Sequence, residues 1–388
     1  MEILQLPPVP DAFYDSLGYP REGKCADMVV ISEAEAEAFY EAAAECFRMV
    51  DAATEHVIRH GLLRQMGIPA YMDALIAETY EDYRRHPHMI GRFDFAGGVD
   101  GLPIKLLEFN ADTPFSIFEV STVQYALAKF HGLDPDTRQY NRLFEALQDF
   151  FVYLRQQHPH ASVLFTNAAD GEDDVNTQII REAAGDCMPG DYLHWTDVCI
   201  DRRQGVCSVD AGGRYIRNLY NVIIKMVPWD LLFLEDEHMA RELARSMQEH
   251  PDTVVCNPPY AAVYQSKALA AVMWELFPDS PYLLRSSMTP WRTDSYVRKP
   301  IWGREGRNIA VFEDGVCIAR TDGFYGKQPE LFQERAQLAS DGSRFYQAGV
   351  FISMEEPCGI GFRRSASPVI TTDDELCGHI LSPQTSGE

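Results

Sequence analysis

No apolar stretch of this 388-residue chain approaches the ~18 residues that a membrane-spanning helix needs. The opening residues, MEILQLPPVPDAFYD, lack the basic start and apolar core of a secretory signal. The expectation is a cytoplasmic protein with no membrane partner. There are nine cysteines, an odd number, and no two are spaced C-x-x-C. That scatter fits reduced thiols better than a disulfide framework or a zinc site. The histidine pairs His86/His88 and His158/His160 stand beside prolines and read as loop residues.

Basic residues are scarce. Lys and Arg total 34 against 58 Asp and Glu, a net charge of −24. A surface that acidic repels phosphate backbones, so no nucleic-acid partner is expected, whereas a cationic polyamine would be attracted. Three catalytic signatures are also missing. No G-x-x-x-x-G-K-[ST] disfavours a P-loop, no G-x-S-x-G disfavours a serine nucleophile elbow, and no G-x-G-x-x-G after a strand disfavours a dinucleotide fold.

What is present is ordinary globular material, with 46% hydrophobic and 24% charged residues. At roughly 150 residues per domain the length suggests two or three domains. The N-terminal third reads as helical. Ser32 with Glu35 forms a capping-box pattern ahead of an alanine-rich helix to His60, stopped by Gly61. A second helix is expected after Pro69. The character then changes to a hairpin, with strands near 91–96 and 103–110, followed by helices ending near Gly132 and His158. A strand at 162–167, an acidic loop at 170–174 and a helix from Val175 make an α/β unit. Later come a strand in TVVCNP, a helix over 266–277 capped by Ser266, and a hairpin turning at Asp314-Gly315. A last hairpin is expected to turn near Glu356-Pro357, and the tail SPQTSGE to fray.

The first hairpin carries the most chemistry. Side chains alternate faces along a strand. Arg92 and Asp94 therefore share one face, and Glu108 and Asn110 share a face of the return strand. An even antiparallel register points all four the same way. Asp94, Glu108 and Asn110 are then hard oxygen donors suited to Mg²⁺. The same pattern also describes a solvated sheet face with a cross-strand salt bridge. Asp112 and Thr113 follow in a turn that could meet a ligand or could serve the turn alone. Lys299 ends a strand ahead of a loop with Gly303 and Gly306, an arrangement that can cover phosphates or form an exposed turn. Lys267, read as just inside a helix N-terminus, and the pair Arg363-Arg364 could also meet an anion, or could lie on the surface.

Taken together, these segments resemble the synthetase domain of glutathionylspermidine synthase, an ATP-grasp ligase. The matching pieces are RFDF at 92–95, LLEFNADTP at 106–114, VPWD at 227–230, NPPYAAVYQSKALAAVMWELFP at 257–278, VRKPIWGREGRNI at 297–309 and EEPCGIGFRR at 355–364. They run in family order from about residue 90 onward. No amidase domain is matched, so a stand-alone synthetase is expected. The sequence departs from the family at Arg304 and Glu305 in the loop, at Trp229 and Asp230 where tyrosine and glutamate are usual, and at Asn257 where an acid is usual.

The resemblance implies an α+β, ATP-grasp-type fold with mixed and antiparallel sheets, a nucleotide between two lobes and a helical N-terminal segment. It implies ATP and Mg²⁺ as cofactors, the ion held by Asp94, Glu108 and Asn110. Arg92 and Arg363 fall beside the reacting phosphoryl group. Lys267 and Lys299 fall on ATP phosphates, the loop of Gly303 and Gly306 over the nucleotide, and Gln333 and Glu334 near the adenine. The implied segments are 1–90 (helical, packed on the core), 91–160 (metal-site hairpin and helices), 161–250 (α/β substrate region), 251–330 (lid region) and 331–388 (remainder of the core). The implied activity is ADP-forming ligation of a carboxylic acid to an amine through an acyl phosphate. The candidate acid is a peptide such as glutathione, and the candidate amine a polyamine. The competing reading is a non-catalytic nucleotide-binding protein that keeps the fold.

Overall fold

The computed structural model describes residues 1–18, 24–168, 171–371 and 374–383. The frame of the molecule is an eight-stranded sheet. Its order runs Glu2–Leu4, Lys24–Ile31, Glu375–Leu381, Glu356–Ser365, Phe345–Ser353, Gly91–Ala96, Lys105–Asn110, with Ala339–Ser340 paired beside Phe345–Ser353. All neighbours are antiparallel except Lys24–Ile31 against Glu375–Leu381. Residues from both ends of the chain thus build one sheet. The N-terminal stretch, expected to be helical, also contributes two strands: Glu2–Leu4 pairs with Lys24–Ile31, which in turn finds its other partner, Glu375–Leu381, hundreds of residues away.

One face of this sheet is covered by the helix Glu33–Arg59. Its capping box forms as expected: Glu35 N–H donates to Ser32 Oγ at 3.2 Å, and Ser32 N–H donates to Glu35 Oε2 at 2.7 Å. Small residues at Ala36, Ala42, Ala43 and Ala53 let the helix approach closely, while Phe39 and Phe47 fill the gaps beside Phe95, Phe109 and Phe362. The other face carries Leu143–Gln157, with Phe150, Phe151 and Leu154 in a second core with Phe351 and Cys358.

A parallel four-stranded sheet (Val254–Cys256, Val222–Met226, Val163–Asn167, Gly190–His194) forms the α/β unit. Its central strands are buried along their whole length, and Val163–Phe165 and Val222–Ile224 supply the apolar runs that burial on both faces requires. A five-stranded antiparallel sheet (Ser286–Ser287, Glu330–Glu334, Tyr296–Pro300, Ala310–Glu313, Val316–Arg320) faces the central sheet across a cleft. A three-stranded sheet over 199–220 completes the fold.

Several boundaries differ from expectation. The final hairpin turns at Met354-Glu355, not Glu356-Pro357. Both turn residues adopt positive φ, 45° and 74°, and Ser353 pairs with Glu356. Two left-handed residues in succession match strand twist, and Pro357 sits within the strand instead. The Asp314-Gly315 turn is where the sequence placed it. Residues 171–174, expected in a loop, open the helix Gly171–Ala184; Asp170 lies outside the described residues, as do 384–388 of the tail. The expected helix over 266–277 is broken. One helix spans Ala261–Gln265 and the next Leu269–Leu276. Ser266 caps neither N-terminus: it ends the first helix and donates its hydroxyl to Met66 O at 3.0 Å. Lys267 is therefore in the link between helices, with its N–H bonded to Ile301 O at 3.0 Å.

Candidate active site

The hairpin Gly91–Ala96/Lys105–Asn110 pairs Arg92 with Asn110 and Asp94 with Glu108. The register is even through this stretch, and a bulge follows only after Asp94. All four polar side chains line the cleft. Behind them Phe93 stacks on Phe109, with ring centroids 4.0 Å apart. Arg92 grips Asp94 in a fork, Nε to Oδ1 at 2.6 Å and Nη2 to Oδ2 at 3.0 Å, and its Nη1 donates to Phe115 O at 2.6 Å. Asn110 Nδ2 donates to Asp94 Oδ2 at 3.0 Å. Both Arg92 and Asp94 are buried. Burial works against the Arg92 charge, yet the adjacent Asp94 outweighs it and raises the guanidinium pKa. Gly349, opposite Asp94 on the next strand, makes room for this pair, since a Cβ there would stand 2.8 Å from Arg92 Cδ.

The later half of the chain supplies the opposing cations. Lys299 leaves the strand Tyr296–Pro300 and donates from Nζ to Leu107 O at 2.7 Å. Lys267 Nζ stands 3.3 Å from Glu108 Oε2 and donates to Gly303 O at 2.7 Å. Burial alone would raise the Glu108 carboxyl, but Lys267 and Lys299 overcome it and pull the group to about 2. Burial lowers the Lys299 ammonium to about 8, against the pull of Glu108. Two lysines thus gather on one partly exposed carboxylate at the wall of the cleft.

The cleft has a volume of about 1100 Å³. Of the eleven residues singled out in the sequence, it is lined by Arg92, Asp94, Glu108, Asn110, Lys299, Gly306, Gln333, Glu334 and Arg363. Lys267 and Gly303 stand just behind it, joined to each other. Arg363 donates from Nη2 to Thr371 O at 2.6 Å. Gln333 is buried, its Nε2 donating to Ser286 Oγ at 3.3 Å. Gly306 has φ +65°, and a Cβ on it would lie 2.2 Å from Ile370 O. The glycine therefore lets the 301–308 loop rest against the segment 368–371 and close one side of the cleft.

Other residues fall differently. Asp112 is fully buried away from the cleft, accepting from Lys225 Nζ at 2.8 Å and from the Trp229 N–H. Thr113 does line the cleft. Asn257 is a structural pin. Its Oδ1 accepts from Met89 N–H at 2.7 Å, and its Nδ2 donates to Ile90 O at 2.8 Å and to the Ala111 and Asp112 carbonyls. The two departures Asp230 and Arg304 turn out to be one interaction, a short ion pair between the VPWD turn and the 301–308 loop. His86 and His88 are buried, and burial lowers both to about 4. Glu119, Ser116 and Gln265 also line the cleft and were not singled out in the sequence. Glu119 lies in a helical turn over Glu119–Val123 whose composition carries no catalytic signature.

The donor set suits a divalent ion shared with phosphates. Two carboxylates and an amide offer hard oxygens, and Mg²⁺ takes only one or two carboxylates from protein when phosphates supply the rest. Among the described residues, no group of three or more His, Cys, Asp or Glu side chains forms a closed metal cage. An ion in this cleft would thus draw further ligands from substrate and water.

A mixed sheet and an antiparallel sheet enclosing such a cleft define an ATP-grasp-type fold. A ligand-free glutathione synthetase-like effector from Globodera pallida shares it, with a TM-score of 0.54 at 11% identity over 91% of this chain and 89% of that one. The family described as "Glutathionylspermidine synthase preATP-grasp" matches residues 15–382. This chain belongs to that family, and its class is that of the ATP-dependent acid–amine ligases. A Haemophilus influenzae protein provisionally named an acid–amine ligase is 28% identical over 77% of this chain and 76% of its own length. The glutathionylspermidine synthase of Crithidia fasciculata is 25% identical over 77% of this chain. The match spans only 45% of that relative. Among the described residues no helix is long and apolar enough to cross a membrane.

Proposed function

We propose that this chain joins the carboxylate of a peptide such as glutathione to a polyamine, releasing ADP and phosphate. The observation that carries the reading is the shared face of Arg92, Asp94, Glu108 and Asn110, set across one cleft from Lys299. ATP supplies the phosphoryl group that activates the acid, and a divalent ion such as Mg²⁺ offsets its charge. Asp94, Glu108 and Asn110 would hold that ion. Arg92 and Arg363 place positive charge beside the group being transferred. Lys299 neutralises phosphate oxygens from within the cleft, and Lys267 does so after release from Glu108. Gln333 and Glu334 line the base-binding end. The loop of Gly303 and Gly306 keeps water from the activated acid. The net charge of −24 favours a cationic amine over a neutral one.

The test offers purified protein a mixed pool of acids and amines with MgATP and reads products by mass spectrometry alongside ADP. An amide product of a peptide acid with a polyamine supports the proposal. ADP without amide points to a simple ATPase. Tight ATP binding with neither product favours a non-catalytic nucleotide-binding protein.

A further inference from the structure

The central sheet closes on a pair of thiols that takes no part in the cleft chemistry. The strands Lys24–Ile31 and Glu375–Leu381 run parallel, with Lys24 opposite Leu376 and Met28 opposite Gly378. Between those anchor points the Cys377 thiol donates to Cys25 Sγ, with the sulfurs 3.3 Å apart. The two residues are 352 positions apart in sequence, and both are free thiols. Both are buried, Cys377 1% and Cys25 6% exposed, so Cys25 is the less enclosed of the two. Beside them Arg364 bridges Asp27 at 2.8 Å and Glu375 at 2.6 Å. The hydrogen bond from Cys377 is the main influence holding the Cys25 thiol below its ordinary pKa, and Arg364 adds to it, against burial and Asp27. The same hydrogen bond, with burial, raises Cys377. Cys25 is therefore the more acidic thiol of the pair, and Cys377 the one that donates to its sulfur.

We propose that Cys25 and Cys377 form an oxidisable dithiol, a site where a peroxide converts two neighbouring thiols into a disulfide joining the second strand of the chain to its last. The steps balance. The Cys25 thiolate attacks one oxygen of hydrogen peroxide, the O–O bond breaks, and a sulfenic acid and hydroxide result; the hydroxide takes up the proton already lost from Cys25. The Cys377 sulfur then attacks the Cys25 sulfur. The S–S bond forms, the S–O bond breaks, and the departing hydroxyl leaves with the Cys377 proton as water. Two thiols are oxidised, one peroxide is reduced, and two waters are formed. The pair lies where the register shifts between Lys24 and Met28, and its sulfurs, 3.3 Å apart, need approach by only about 1.3 Å to reach a disulfide bond length. The last strand also bears Leu376, which lines the cleft opposite Arg363. Oxidation would thus pin the strand that backs Arg363.

The experiment treats the full chain with hydrogen peroxide, quenches by alkylation under denaturing conditions, and maps peptides without reduction. The expected result is a cross-linked pair carrying Cys25 and Cys377, lighter by about 2 Da than the two reduced peptides. Cys25→Ser or Cys377→Ser should abolish the link and leave the remaining thiol alkylated. Exposed Cys317 reports that oxidant has acted. The proposal is overturned if Cys317 is consumed while both buried thiols stay alkylatable. It is equally overturned if the only disulfide joins Cys199 to Cys207, which face each other across two other strands. Should either variant fail to fold, the wild-type map decides alone. A second readout is the Tm, which should rise on oxidation, because closing so long a loop restricts the unfolded chain, and fall back with reductant. Neither readout uses ligase activity.

Discussion

Lys267 Nζ stands 3.3 Å from Glu108 Oε2 and also donates to Gly303 O at 2.7 Å. One ammonium thus ties a carboxylate of the central sheet to the loop that borders the cleft. Glu108, proposed above as a metal ligand, is held as an ion pair in this state, and an incoming cation would have to compete with Lys267 for it. Exchange of Glu108 from Lys267 to metal would free the lysine for phosphate.

Glu108→Gln should lower the rate of ADP release at saturating substrates by on the order of 100-fold, because it removes both a metal donor and the partner of two cations. The fold should persist, since Glu108 packs no core. Magnesium titration of the variant, followed by nucleotide affinity, is the check. A wild-type magnesium dependence would remove Glu108 from the ion site.

ATP binding should weaken as pH rises through about 8. Lys299 has its folded pKa lowered to about 8 by burial, so it is charged below that pH and neutral above it. Nucleotide binding above pH 8 must then take up a proton, and Kd should rise up to about tenfold per pH unit. Stability runs the other way. Between about 8 and the unfolded lysine value of roughly 10.4 the unfolded chain binds the extra proton, so the Lys299 contribution to stability increases with pH. Calorimetry in buffers of different ionisation enthalpy measures the uptake, and Lys299→Met should abolish it.

Gly306→Ala should cost about 1–2 kcal/mol from its φ of +65° alone, with a further penalty from the 2.2 Å approach to Ile370 O. The loop must lift away from the segment 368–371. The expected result is a raised KM for ATP together with a modest loss of Tm. An unchanged KM would show that closure of this loop does not contribute to binding.

Asp230 and Arg304 should show strong coupling. Either Asp230→Asn or Arg304→Met strands the other charge in a mostly buried setting, at roughly 3–5 kcal/mol each. The double variant should cost clearly less than the sum, and a double-mutant cycle of urea unfolding gives the coupling energy. Additive single effects would mean the pair is incidental.

Much of the site was legible because its signal is local. Side chains on a strand alternate every residue, so Arg92/Asp94 and Glu108/Asn110 had to share faces once the hairpin paired evenly, as it does before the bulge after Asp94. Ser32 with Glu35 marked its helix start for the same reason, since a capping box is completed within three residues. The parts misread were those whose meaning depends on distant partners. Ser266 resembles a helix cap until Met66 O claims its hydroxyl, and Met354-Glu355 carries none of the usual glycine or asparagine of a two-residue turn.

Alternation, helix signals, charge and motif order are all written in the order of the residues, and they place this chain in its family. That Lys267 reaches Glu108, that Asp230 answers Arg304, that Asn257 pins four backbone neighbours and that Cys25 meets Cys377 emerges only once the chain is packed. Backbone geometry fixes what residues a few positions apart can do. Which distant side chains meet is set by the packing of sheets and helices, whose free energy is a collective property of the whole core.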